Sequence, residues 1–245
     1  MIKYIIEDSY DGILSAIFDS FIFKEKPTMV TTFESQIDLL TAVKNIKITK
    51  EKVDRVDKKL FSILSLTNYK LIKTALLSGQ ENKHFIIFNY LYKIISYNSD
   101  VSNMYNDSDI FNYYALVKKI TLEAHRFKGF IRFSKSKNGI FYAKYSPDND
   151  ITSLIFPHFK KRFYIQPFIL HDVKRNVFAL SNKEKSLIAK DPDISMLGDI
   201  NDDFAKLFKT YYNSVTITTR LNKKLMKNYM PVRYWKYLDE KNPLL

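Results

Sequence analysis

Phe130-Ile131-Arg132-Phe133-Ser134-Lys135-Ser136-Lys137-Asn138-Gly139-Ile140-Phe141-Tyr142-Ala143-Lys144-Tyr145 separates two characters in the chain. Asn138-Gly139 is a strong hairpin signal, because both residues accept the positive φ of a two-residue turn. We read 130–133 and 140–145 as the strands on either side of it. Upstream, apolar residues recur at helical spacing. Downstream, the runs are short and extended.

Working back from the hairpin, Asp107 caps a long helix through Ile110, Leu116, Val117 and Ile120 towards His125, with Gly129 as its natural end. Helices are expected near 69–77 and 81–96. Another follows Thr49, with Val53, Val56, Leu60, Ile63 and Leu64 as its apolar positions. At the start, 2–6 reads as a strand. Asp8 or Ser9 then caps a helix carrying Ile13, Leu14, Ile17, Phe18 and Phe21, stopped by Pro27, and 29–32 is a second strand.

Working forward, Pro147-Asp148-Asn149-Asp150 is a turn. Leu154, Ile155 and Phe159 mark a short helix that carries Pro157. Residues 168–170 and 177–180 pair around Lys174-Arg175-Asn176. Asp202 or Asp203 opens a final helix ended by Pro231. The pattern is α+β: a helical N-terminal half, a small antiparallel sheet in the second half, and a C-terminal helix with an aromatic tail. We expect one domain over 1–245, mainly helical in 1–128 and basic α+β in 129–245.

Lys and Arg number 39 against 26 Asp and Glu, so the formal net charge is +13. Residues 118–178 hold 13 basic and 4 acidic side chains, and 215–245 hold 7 and 2. The remainder is close to neutral. A concentrated excess of this kind favours polyanionic partners, nucleic acid first among them.

Cysteine is absent, which removes disulfides, thiolate nucleophiles and iron–sulfur ligation from this chain. An early Glu7-Asp8 argues against a secretory leader, and no run reaches the ~18–20 apolar residues of a membrane span. A cytoplasmic, soluble protein is the expectation. With five glycines there is no Walker loop, dinucleotide fingerprint or Gly-x-Ser-x-Gly elbow.

Glu123-Ala124-His125-Arg126-Phe127-Lys128-Gly129-Phe130-Ile131-Arg132-Phe133 is the densest alternation of cations and aromatics. Cations can meet phosphates there while rings stack on bases. Equally, Phe130 and Ile131 can be core, with Arg126, Lys128 and Arg132 merely solvated. Lys160, Lys161 and Arg162 are consecutive and cannot all share one helix face. Lys174 and Arg175 follow, then Arg220, Arg233 and Trp235 in the last segment, where a packed terminal helix is the plainer reading. His125, His158 and His171 beside Asp172 are the acid–base candidates. Adjacent strand residues face opposite ways, however, so His171 with Asp172 is as readily structural. No histidine pair has the spacing of a helical metal motif, and no metal is expected.

At these motifs the chain resembles a bacterial family of DNA-metabolism or DNA-repair proteins whose gene sits beside that of a radical-SAM protein. In some relatives the domain is joined to a uracil-DNA-glycosylase-like domain. Tyr10-Asp11-Gly12, the block from Glu123 to Phe133, Tyr142-Ala143 with Pro147-Asp148, Pro157-His158-Phe159 with Arg162-Phe163, and His171-Asp172-Val173 carry the resemblance. Met230-Pro231 with Arg233-Tyr234-Trp235-Lys236-Tyr237-Leu238 completes it. Phe127, Asn149 and Phe168 stand where the family usually has Met, His and Trp, so position 149 is no obligatory catalytic histidine. Tyr164-Ile165 replaces an acidic turn.

The resemblance implies a DNA-repair setting. The expected role is a nucleic-acid-binding accessory subunit acting with a radical-SAM partner. That partner would hold the iron–sulfur cluster and S-adenosylmethionine, leaving no cofactor in this chain. Two alternatives stay open. One is a DNA-processing enzyme that excises or hydrolyses damaged nucleotides through the histidines and Asp172; the other is a scaffold whose basic face meets an acidic protein.

Overall fold

Ile2-Lys3-Tyr4-Ile5 forms β1 (Ile2–Ile5), and its two central side chains are both buried. A strand covered on both faces belongs inside a parallel sheet, and β1 lies there: β2 (Met29–Thr31) and β3 (Ala42–Asn45) flank it, both parallel to it. The computed structural model describes residues 1–33, 41–182, 184–192, 200–201, 210, 214–215 and 222–238. It divides the chain into two compact units, Met1–Thr121 and Leu122–Leu245.

In the first unit, α1 (Tyr10–Ile22) begins at Ser9, whose side chain accepts the Gly12 amide at 3.0 Å. Gly12 is required by space. A Cβ there would lie 2.4 Å from the Glu7 carbonyl oxygen, which is rigid backbone. Ile13, Leu14, Ala16 and Ile17 are fully buried on α1. α2 (Lys50–Ile63) buries only Val56 and Leu60, and α3 (Leu66–Leu76) only Ile72 and Ala75. α4 (Lys83–Tyr97) is the central helix, with Ile87, Phe88, Tyr90, Leu91 and Ile94 out of solvent. α5 (Ser108–Phe130) starts at Asp107, whose Oδ1 accepts the amides of Asp109 and Ile110 while Lys93 pairs with the same carboxylate. The division between units falls within α5.

In the second unit, six strands among the described residues form one sheet, ordered from edge to edge β8 (Ser186–Lys190), β7 (Val177–Ser181), β6 (Phe168–Asp172), β5 (Phe141–Tyr145), β4 (Ser134–Ser136) and β9 (Ile200–Asn201). β4 (Ser134–Ser136) and β5 (Phe141–Tyr145) are the hairpin around Asn138-Gly139, with Gly139 at φ 78°. α6 (Thr152–Arg162) connects β5 to β6 (Phe168–Asp172), which lies parallel to β5. β7 (Val177–Ser181) and β8 (Ser186–Lys190) continue the sheet antiparallel, and β9 (Ile200–Asn201) pairs with β4. Phe156 and Phe163 pack on Phe168, while Phe133 meets Phe159 and Phe163. Tyr142, Ile169 and Phe178 form a second cluster with Ile140 and Leu180, on the sheet face opposite Phe168. α7 (Lys223–Tyr229) is capped by Asn222, and a 3-10 turn (Val232–Tyr237) follows Pro231.

The α+β class, the helical first half and the C-terminal helix stand as expected. Four details differ. Residues 130–133 are not a strand: α5 continues through Gly129 to Phe130, Ile131 N bonds the Phe127 carbonyl at 3.2 Å, and Arg132 Nη1 caps the Gly129 carbonyl at 2.7 Å. Phe127, Phe130 and Ile131 lie three and four residues apart, a spacing that serves a helix face as well. The sheet is mixed, because the β5–α6–β6 crossover makes one pair parallel. β3 and β8 had no alternation to betray them; Leu187 and Ile188 on β8 are exposed. Asp202, Asp203 and Arg220 lie outside the described residues.

Candidate nucleic-acid interface

The loop between β5 and α6 is where distant parts of the second unit converge. Glu123, on α5 and only 5% exposed, accepts four hydrogen bonds there. Its Oε1 takes the Asp148 amide at 2.8 Å and the Tyr234 hydroxyl at 2.6 Å. Its Oε2 takes the Asn149 amide at 2.9 Å and the Asn149 side-chain amide at 2.6 Å. Burial, reinforced by the Glu123 carboxylate, pushes the Tyr234 phenol well above its ordinary range, so it remains a donor.

Two arginines close the loop from other sides. Arg175 Nη1 meets Asp172 Oδ2 at 2.9 Å and the Pro147 carbonyl at 3.2 Å, and Nη2 meets the Asp148 carbonyl at 2.6 Å. Asp172 is fully buried and also accepts the Lys174 and Arg175 amides. Burial pushes its carboxyl up, against the pull of Arg175. Arg233 Nη2 reaches Asp148 Oδ2 at 2.8 Å, and its guanidinium lies 4.7 Å from the Tyr234 ring centroid.

His171 and Asp172 therefore do not form a dyad. The strand points them to opposite faces. His171 Nδ1 instead accepts from the Tyr142 hydroxyl at 2.7 Å, its Nε2 donates to Asn176 Oδ1 at 3.1 Å, and its ring stacks on Phe178. Burial first, then Lys144, lowers its pKa. His125 is exposed on α5. His158, exposed on α6, is lowered by burial and by the fields of Lys128 and Arg162. Among the described residues, the histidine that does bond a carboxylate is His84 of the first unit, whose Nε2 lies 2.8 Å from Asp8 Oδ1. Seventy-six residues separate that pair, and sequence spacing could not reveal it.

The consequence for charge is direct. Of the four acids in 118–178, Glu123 and Asp172 are buried, and Asp148 is paired with Arg233. Lys128, Lys161, Arg162 and Lys174 have no carboxylate within ion-pair distance among the described residues, and the last three are exposed. Lys128, near the end of α5, and Arg162, at the end of α6, both act to lower the His158 pKa, after burial. Tyr164, two residues past Arg162, is 81% exposed, a ring that the sequence marks only as part of a replaced turn. Lys160 leans away to Ser186 Oγ at 2.9 Å.

Other candidates are structural in part. Arg175 and Arg233 hold the loop. Arg126 lies 3.5 Å from the Asn228 carbonyl, and Arg132 is the cap of α5. Trp235 Nε1 donates to the Met230 carbonyl at 2.9 Å, anchoring the tail. No cluster of three or more metal-ligating side chains occurs among the described residues, and none of their helices is long and apolar enough to cross a membrane.

A mixed sheet with one helical crossover, a buried acidic clasp and an outward cationic rim defines the second unit. Residues 81–240 match the family described as a domain of unknown function, DUF4130, and the chain belongs to that family. No curated protein and no solved structure matches the chain.

Proposed function

We propose that the chain is a DNA-binding accessory protein of DNA repair or DNA metabolism, acting with a radical-SAM partner that holds its own iron–sulfur cluster and S-adenosylmethionine. One observation carries the DNA reading: among the described residues of the second unit, Glu123 and Asp172 are buried and Asp148 is paired with Arg233, while Lys161, Arg162 and Lys174 are exposed with no carboxylate partner. That unit holds 23 basic and 12 acidic residues, a net of +11 of the chain's +13. Lys128, Lys161 and Arg162 would meet phosphates, and Tyr164 would offer a stacking face. The resemblance to DNA-repair proteins encoded beside a radical-SAM protein, and joined in some relatives to a uracil-DNA-glycosylase-like domain, supports the setting and the partner. Within 118–178 three of the four acids, Glu123, Asp148 and Asp172, serve the clasp and no histidine is aligned by one of them, which favours presentation of DNA over its cleavage.

The test is binding to single-stranded and duplex oligonucleotides at ~50 and ~200 mM salt, with and without the radical-SAM protein. Tight binding by this chain alone that weakens steeply with salt is the expected result. Binding only when the partner is added, or affinity indifferent to salt, overturns it.

A further inference from the structure

The first unit carries a groove that the DNA reading does not use. Ile17, Phe18, Phe21 and Ile22 of α1, Val56 of α2 and Ile95 of α4 line a cavity of about 260 Å³ open to solvent. Phe21 and Ile22 are 37% and 56% exposed, and Phe23 beside them 58%. Contiguous exposed apolar side chains at a helix end are the mark of an interaction surface.

Charge at the rim says what the occupant carries. Arg55 and Lys59 stand on the same side of α2, four residues apart, so they repel each other. Neither has a carboxylate partner among the described residues. Asp19, on the adjacent turn of α1, is already paired with Lys52 at 2.7 Å. The Arg55 guanidinium lies 5.8 Å from the Phe18 ring centroid, at the mouth of the cavity. Two unpaired cations over an apolar floor ask for carboxylates flanking apolar side chains. The volume falls below the ~300–1,000 Å³ of small-molecule clefts but accepts a few aliphatic side chains.

We infer that this groove docks an acidic amphipathic helix of a partner protein, its apolar side chains seated between α1, α2 and α4 and its carboxylates on Arg55 and Lys59. The inference stands apart from the DNA reading, which concerns the other unit. A second copy of this chain is disfavoured as occupant by its own +13 charge.

The experiment is fluorescence anisotropy on the full chain with a labelled helical peptide bearing Leu at i, i+3, i+4 and i+7 and Glu on the flanks. The control peptide has Lys in place of Glu. The expected result is binding of the Glu peptide alone, weakened about tenfold or more by Arg55→Glu with Lys59→Glu, and also by Ile22→Asp. All three sites are exposed or partner-free, and unchanged circular dichroism and melting will show that the variants fold. Equal binding of both peptides, or of neither, overturns the inference. So does sedimentation of the chain as a dimer that Ile22→Asp dissolves, which would make the occupant a second copy. Saturation of the groove by dodecanoate with no peptide binding would make it a lipid-like pocket, and overturns it as well.

Discussion

The Glu123 carboxylate accepts the Tyr234 hydroxyl at 2.6 Å across 111 residues of sequence, and both groups are buried. The bond ties the 3-10 turn at 232–237 to α5, and through the other Glu123 oxygen to the loop that precedes α6. A buried carboxylate that accepts four hydrogen bonds is a structural node, because losing any partner exposes a charge to an apolar surrounding.

Glu123→Gln should therefore destabilise the protein by about 2–4 kcal/mol, since the amide turns a donor towards groups that already donate and hydrogen bonds to charged acceptors contribute ~1.5–3 each. Tyr234→Phe should cost about 1–3 kcal/mol by losing one of them. Urea unfolding midpoints at constant slope would measure both. A neutral Glu123→Gln would mean the clasp is not a node.

Duplex affinity should fall with salt at a log–log slope near −5 if about six cations each neutralise a phosphate at ~0.9 per contact. Lys128→Ala and Arg162→Ala should each flatten that slope by about 1 without lowering the melting temperature. Arg175→Ala should do the reverse, because its guanidinium bonds Asp172 and two carbonyls of the loop. If Arg175→Ala changes only the salt slope, the division between structural and phosphate-facing arginines is wrong.

His158 offers a spectroscopic reporter. Burial and the cations Lys128 and Arg162 depress its pKa in the free protein. Phosphates seated between those cations would cancel their field, so the His158 imidazole should titrate at higher pH in the complex than alone. Imidazole proton shifts followed through pH 5–8 with and without a short duplex would show it. An unmoved titration would place the DNA elsewhere.

Stability should decline on mild acidification. His84, His158 and His171 all have pKa values lowered in the folded state, burial being the first cause in each. The unfolded chain binds protons first, so the stability they supply is complete above about pH 6.5 and lost as pH falls through the folded values. Thermal melts at pH 7.5, 6.5 and 5.5 should drop in that order. His84→Gln, which cannot titrate, should soften the drop; an unchanged profile would remove His84 from this account.

Gly12→Ala should be costly despite the helical setting, because the new methyl would meet the Glu7 carbonyl at 2.4 Å. Overpacking against backbone is expected to cost about 1–3 kcal/mol, readable as a shifted denaturant midpoint. Tolerance would mean that the turn at 7–9 can shift.

The hairpin at 138–139, the caps at Ser9 and Asp107, and the strand pair around 174–176 were all legible in the sequence. Each depends on residues within a few positions of one another: a glycine taking positive φ, a side chain accepting an amide two or three residues on. The run at 130–133 reads as extended because Phe130, Ile131 and Phe133 favour strands, but α5 continues to Phe130, packing Phe127 on Tyr145 and Tyr234 and Phe130 on Tyr234. β3 escaped because its Ala42, Val43, Lys44 and Asn45 bury little, and its parallel place beside β1 is set by the sheet.

Composition and local chemistry thus determined the class of fold, the lack of thiol chemistry in this chain, and the two segments that hold the charge. Tertiary structure decided which charges face solvent. Arg175, Arg162 and Lys128 look alike in the sequence, but only the fold sets Arg175 against a buried aspartate and leaves the other two without a carboxylate among the described residues. The same holds for His171, turned from Asp172 to Tyr142 by strand alternation, and for His84, joined to Asp8 across 76 residues. Local propensity acts over a few residues of chain, whereas hydrogen bonds and Coulomb fields act through space, and the fold alone sets those distances.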